Sequence, residues 1–394
     1  MNSASPSADR RHLVLIAGIL LIATTLRVAF TGAAPLLDAI RSEYGLTTAQ
    51  TGLLTTLPLL AFGLVSPLAA AVVRRFGIER SLLLALILIC LGIALRSLPV
   101  VTLLFIGTAI IGCGIALGNV LLPGLIKRDF PQHVAKMTGA YSLTMGGAAA
   151  LGSAMVVPLA FAGLGWRGAL LMLMVFPLLA LFVWLPQSRR QAAAPLTGSG
   201  AIHNRGIWRS ALAWQVTLFL GINSLVYYVI IGWLPAILQS IGYSEAQAGS
   251  LHGLLQLATA APGLAIPLIL HRLKDQRGIA VLVALMCAVS ALGLWFLPGQ
   301  AVLWTLIFGF GSGATMILGL TFIGLRASSA HQAAALSGMA QTVGYLLAAC
   351  GPPVMGKIHD ANGDWHIPLI AVALISIAMA VFGALAGRDR EING

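Results

Sequence analysis

Residues 39–52 read AIRSEYGLTTAQTG, and residues 236–249 read AILQSIGYSEAQAG. The offset of 197 positions is half of the 394-residue chain. Ala39, Ile40, Gly45, Ala49, Gln50 and Gly52 recur as Ala236, Ile237, Gly242, Ala246, Gln247 and Gly249. Extended to 39–80 against 236–277, twelve of 42 positions match without a gap, Arg75/Arg272 and Arg80/Arg277 among them. A shift of 199 pairs Gly112, Gly114, Gly139 and Gly152 with Gly311, Gly313, Gly338 and Gly351. The chain thus uses one unit twice.

Composition says in what solvent. Hydrophobic residues make up 59% and charged residues 9%, where a soluble domain carries about 25% charged. A soluble enzyme, a disordered chain and a nucleic-acid-binding module are excluded. A bilayer-crossing helix needs about 20 apolar residues, and apolar runs between polar breaks predict twelve. They lie at about 13–40, 46–73, 81–98, 102–126, 134–162 and 166–185, then 209–239, 245–270, 279–297, 301–325, 333–355 and 367–386. The only long polar stretch, Pro186 to Trp208, divides six spans from six. The expected organisation is therefore a bundle at 1–185, a cytoplasmic linker at 186–208 and a bundle at 209–394.

Charge placement orients the spans. With the N-terminus inside, 18 of the 23 Lys and Arg fall on the cytoplasmic side. Arg41, Arg96, Arg167 and Lys357 fall outside, and Arg27 lies within a span. The net charge of +12 is then a topology signal, with no soluble domain on which a nucleic-acid footprint could cluster. Six spans with both ends inside, repeated in one orientation, give halves related by an axis along the membrane normal. Substrate then sits near the midplane between them. The expected fold is all-α, twelve transmembrane helices in two pseudo-symmetric six-helix bundles.

Arg27 is the strongest candidate for function. It sits mid-span, no Asp or Glu occupies any span core, and an Arg there costs roughly 2.5–3.5 kcal/mol on insertion scales. Thr24, Arg27 and Thr31 share one helix face. Arg27 either offers its planar fork of donors to substrate or bonds carbonyls of a neighbouring helix. The repeat aligns it with Ser224, beside Asn223, with Tyr227 and Tyr228 one turn on. These polar aromatics either stack on a flat ligand or glue helices together. His252 and Gln256 share a face of the eighth span, Gln341 and Tyr345 one of the eleventh; Asn119 and Tyr141 lie in the fourth and fifth. His252 and Asp38, at the outer end of the first span, are the only membrane-associated groups suited to carry a proton. Arg74, Arg75 and Arg80, with their counterparts Arg272 and Arg277 and with Glu79, are expected to gate the cytoplasmic side.

Other chemistries lack their residues. Cys90, Cys113, Cys287 and Cys350 lie in apolar runs without a CxxC pair. Asp360, Asn362 and Asp364 begin like a calcium loop but lack its Gly and its final Glu. No P-loop motif occurs, so transport must be secondary. No cofactor, metal or enzymatic activity is expected; the partners are a small-molecule substrate and lipid, and a monomer suffices.

The loop Arg74-Arg75-Phe76-Gly77-Ile78-Glu79-Arg80 resembles the conserved loop between spans two and three of the major facilitator superfamily, with Arg74 where Asp is usual. The fourth span also lacks that superfamily's frequent Arg. Leu26-Arg27 with Thr31, Pro35-Leu36-Leu37, Ile40-Arg41, Leu54-Thr55-Thr56-Leu57-Pro58 and Ile126-Lys127-Arg128-Asp129-Phe130 resemble the cyanate porter branch. The resemblance implies alternating access, an inner-membrane location and export of a small planar solute. A nitroimidazole satisfies both Arg27 and the tyrosines. Uptake or exchange of a small anion such as cyanate, or ligand sensing without transport, are the alternatives.

Overall fold

The computed structural model describes residues 6–130, 132–189, 206–270, 273, 275–328 and 330–392. Arg272 and most of the linker lie outside the described residues, as does the side chain of Arg74. Among the described residues the fold is helical throughout: α1 (Pro6–Thr31), α2 (Leu37–Tyr44), α3 (Thr48–Phe76), α4 (Ile78–Arg96), α5 (Val101–Asp129), α6 (Val134–Leu159), α7 (Gly165–Met172) and α8 (Val175–Trp184) come first. The second half holds α9 (Ala211–Ser240), α10 (Glu245–Ala260), α11 (Pro262–Leu270), α12 (Arg277–Phe296), α13 (Ala301–Arg326), α14 (Ala330–Asn362) and α15 (His366–Ala386). With α7–α8 and α10–α11 each counted as one crossing and α2 as a cap, these make the twelve expected spans.

The repeated stretch folds alike in both halves. Thr47 and Ser244 each start a helix with a capping box closed by Gln50 and Gln247, which satisfies amide groups left free at a helix start. Gly45 and Gly242 precede them at φ +62° and +101°, where a Cβ would be strained.

Prolines make most of the departures from uninterrupted spans. The first span ends at Thr31, short of the expected 40. Pro35 has no N–H to continue the ladder, and a turn leads into α2. Pro262 separates α10 from α11, and Pro177, which has no N–H, follows the break where α7 gives way to α8, the Leu173 carbonyl there accepting the Phe176 amide instead. Among the described residues nine stretches are long and apolar enough to cross a membrane by composition alone. One, 139–184, folds back near residues 160–164 into two crossings. The eighth and eleventh spans, α10–α11 and α14, are not among these nine; α10 and α11 are each shorter than a full crossing on their own.

Each half has its own core, around Ile22, Leu86 and Leu122 in the first and Phe219, Phe308 and Phe322 in the second. Outward faces carry exposed Phe161, Phe182, Leu282 and Leu374, as lipid-facing surface should. Both ends of the described chain lie on one face: His12 packs on Phe130, and the Gln276 amide donates to the Gly387 carbonyl.

The halves meet tightly at the opposite face. A Cβ on Gly253 would lie 2.7 Å from the Ala150 carbonyl, and one on Gly356 2.9 Å from that of Thr48. The Thr56 hydroxyl donates to the Ala349 carbonyl at 2.8 Å. The Asp360 carboxylate accepts the Thr48 and Ala49 amides at 3.2 and 3.0 Å, capping the first turn of α3 from the other half. Nearer the face bearing the termini, Gly63 of α3 and Gly338 of α14 look onto open space.

Candidate functional site

Arg27 stands on α1, one turn before the break at Thr31, where α9 crosses from the other half. Its guanidinium carbon lies 5.2 Å from the centre of the Tyr227 ring, a cation–π contact. Among the described residues no carboxylate pairs with it. Tyr228, Tyr345 and His252 lie within its electrostatic reach. Tyr228 meets the Tyr227 ring edge-on at 5.2 Å and Phe30 at 5.9 Å. Tyr345 meets Phe62 edge-on at 5.4 Å. One permanent cation thus rests on the Tyr227 face, with Tyr228 and Tyr345 within its electrostatic reach.

Hydrogen bonds fix the second-half wall. The Tyr227 hydroxyl donates to Gln256 Oε1 at 3.1 Å, which sets the ring orientation. His252 Nε2 lies 2.8 Å from the Ile231 carbonyl, so it carries the proton and donates. Nδ1 of His252 and Nε2 of Gln256 are buried with no hydrogen-bond partner among the described residues. They are polar groups held ready at a site where an unmade bond costs about 1–3 kcal/mol.

The remaining sequence candidates divide. Thr31 spends its hydroxyl on the Arg27 carbonyl at 3.1 Å. Asn223 is buried one turn before Tyr227 and accepts from Ser312 at 3.1 Å, so it ties α9 to α13. Gln341 is exposed and donates to Ser337. Among the described residues no hydrogen bond or ring contact joins Asn119, Tyr141 or Gln341 to the Arg27 cluster. Asp38 lies away from it, in α2, 3.7 Å from Arg41. Arg41 in turn donates to Thr48 at 2.8 Å, beside the Asp360 contact.

The gating candidates pair within their own halves. Glu79 is gripped by Arg128 at 2.6 Å, and Arg128 also holds Asp129 through two bonds. Arg75 lies over Phe76, Arg80 is exposed, and Arg277 pairs with Asp275 at 2.6 Å. At the matching end of the second half, Arg326, which closes α13, donates to Gln276, 197 positions on from Glu79.

Reading the spans missed several partners. Phe30 and Phe62, apolar residues within apolar runs, carry no sequence signal that sets them apart. Asp360 stood out only as the start of an incomplete calcium loop, because its contact joins residues 312 apart in sequence. Arg96, counted with the outer loops, is 2% exposed at the end of α4; the predicted span 81–98 already enclosed it.

The arrangement, two pseudo-symmetric six-helix halves around a polar site at their junction, defines a membrane transporter. The chain belongs to the Major Facilitator Superfamily, whose family model matches residues 16–349. It is 78% identical over 393 residues, all of both chains, to the "2-nitroimidazole transporter" of Escherichia coli (strain K12). It is 27% identical over 366 residues to the "Cyanate transport protein CynX" of the same organism, covering 92% of this chain and 94% of that one. The solved structure of a D-xylose-proton symporter superposes with a TM-score of 0.76 at 16% identity, covering 94% of this chain and 96% of that one; at that identity it speaks for the fold alone.

Proposed function

We propose that this transporter exports 2-nitroimidazole or a close planar nitro-heteroaromatic from the cytoplasm by alternating access, as a monomer in the bacterial inner membrane with both termini cytoplasmic. The observation that carries the reading is the unneutralised Arg27 guanidinium resting on Tyr227, with Tyr228 and Tyr345 close by. A nitro group is planar and presents two acceptor oxygens, which suits a guanidinium fork. The heteroaromatic ring suits the tyrosine faces. His252 Nδ1, an acceptor, and Gln256 Nε2, a donor, match the ring N–H and ring N of an imidazole. The name of the Escherichia coli relative supports the substrate.

In this reading the tight face is the periplasmic gate, closed, and the open face is cytoplasmic. Arg74, Arg75 and Arg80 with Arg272 and Arg277 close the cytoplasmic side when the halves rock the other way. Either His252 or Asp38 carries a coupling proton, or the protein is a uniporter. Uptake or exchange of a small anion such as cyanate is the second reading, favoured by the lack of a carboxylate beside Arg27. The deciding experiment is labelled 2-nitroimidazole accumulation in cells and proteoliposomes with and without the protein. The proposal expects lower accumulation in expressing cells, abolished by Arg27→Lys. Equal accumulation with and without the wild-type protein overturns the substrate.

A further inference from the structure

Beyond α15 the chain turns back onto the bundle. Asp389, Arg390 and Glu391 are exposed, yet Ile392 is 3% exposed and joins the core of the second half. Its amide donates to the Arg326 carbonyl at 2.8 Å. That carbonyl ends α13 and has no amide of its own helix to accept. The Ile392 carbonyl accepts from Gln332 Nε2, in the first turn of α14, at 3.3 Å. The root of this tail is held as well. Buried Arg326 donates to the Ala386 and Gly387 carbonyls at 2.9 and 3.3 Å, and the Gln276 amide donates to Gly387 at 3.2 Å. The tail thus runs from the ends of α12, α13 and α15 to the start of α14.

α14 is built to bend above that point. Pro352 and Pro353 have no N–H, so the Ala348 and Ala349 carbonyls lose their helical partners. The Ala349 carbonyl accepts the Thr56 hydroxyl of the other half instead. Past the prolines α14 is locked: Trp233 Nε1 donates to the Pro352 carbonyl at 2.9 Å, and a Cβ on Gly351 would meet Leu225 and Val229 at 2.7 Å. Toward the tail, Gly338 looks onto open space, as does Gly63 on α3. Residues 330–349 form a lever about 30 Å long at the helical rise. A bend of about 10° at the prolines, small for a proline kink, moves its end by about 5 Å. The 3.3 Å bond from Gln332 to Ile392 does not survive that movement.

We propose that residues 387–392 are a strap that holds the Ala330 end of α14 back from α3, and that closing this face requires the Ile392 carbonyl to release Gln332. Halves that rocked as rigid bodies would leave the strap intact; a bend in α14 pulls on it. The exposed residues between its anchors stay in water in either form, so release costs only the two bonds and the Ile392 slot. The strap is independent of Arg27 and of the substrate.

The test uses the full-length protein in detergent, with the native cysteines replaced by alanine and spin labels at Gly63→Cys and Gly338→Cys. Four tails are compared: wild type, a chain ending at Arg390, Ile392→Asp and Ile392→Val. The shortened chain and Ile392→Asp should raise the population with a short label distance about tenfold, the size of one lost hydrogen bond with its buried side chain. Hydrogen exchange across 330–349 should rise in both. Ile392→Val fills the slot and should keep the wild-type distances. The shortened chain buries no charge and decides even if Ile392→Asp does not fold. An unchanged or longer distance in the shortened chain overturns the proposal, even where its Tm falls, because Ile392 would then be core packing alone.

Discussion

Arg27 and Tyr227 are a pair in which charge and ring do separate things. The ring face attracts any cation, so lysine would still be held there. The fork belongs to arginine alone. Arg27→Lys should therefore leave the protein folded while weakening 2-nitroimidazole binding about tenfold to a hundredfold. That is the loss of a charge-assisted bond at about 1.5–3 kcal/mol, and isothermal titration checks it. Tyr227→Phe tests the wall. It keeps the face under Arg27 but strips Gln256 Oε1 of its described donor. The expected cost is about 1–3 kcal/mol in stability, because a buried acceptor is left bare. Thermal unfolding should show Gln256→Leu in the same background recovering part of it, since removing both partners is gentler than removing one. An additive double variant would mean the two side chains do not act as a pair.

At the scale of elements, the closed face depends on α3 meeting α14 and α6 meeting α10. Asp360 caps α3 across that junction. Partial burial raises its carboxyl, but bonds from Thr48 and Ala49 outweigh this and hold it below the usual carboxylate range. A depressed pKa means that closure gains from Asp360 above the carboxyl's ordinary range and loses the gain as pH falls through the depressed value. Acidification should thus lengthen the distance between spin labels on the distal ends of α3 and α14. Asp360→Asn should reduce that pH response, and an unchanged profile would remove Asp360 from the latch. Gly253 tests sterics instead. A Cβ there meets the Ala150 carbonyl at 2.7 Å, and backbone cannot step aside cheaply. Gly253→Val should hold the same face apart at every pH, seen as a long label distance and slow transport.

For the whole molecule, the prediction is topological and energetic together. The described ends of the chain share a face with Arg75, Arg80, Arg277 and Arg388. The 18-to-4 excess of basic residues argues that this face is cytoplasmic. A reporter fused after Arg390 should be active only in the cytoplasm; periplasmic activity reverses both the orientation and the assignment of the gates. Coupling is tested at this scale too. With no carboxylate in the span cores, proton-linked transport that survives His252→Gln with Asp38→Asn would eliminate both carriers.

The sequence alone determined the number of spans, the repeat and its offset, and the isolation of Arg27, because each follows from local apolarity or from counting charges. It also marked Tyr227, Tyr228, Tyr345 and His252 as unusual, since polar groups in apolar helices stand out without any knowledge of neighbours. Which of these meet was decided by tertiary structure. Arg27 on Tyr227, Tyr227 on Gln256 and Asp360 on α3 are contacts between segments from 29 to 312 residues apart. Helical periodicity tells which face a residue occupies but not which helix that face meets. Arg96 makes the same point. Its position within a predicted span was legible, yet only the break in α1 frees the Ala29 carbonyl, to which its Nη1 donates at 2.7 Å. The break itself goes with Pro35, which has no N–H to continue the ladder.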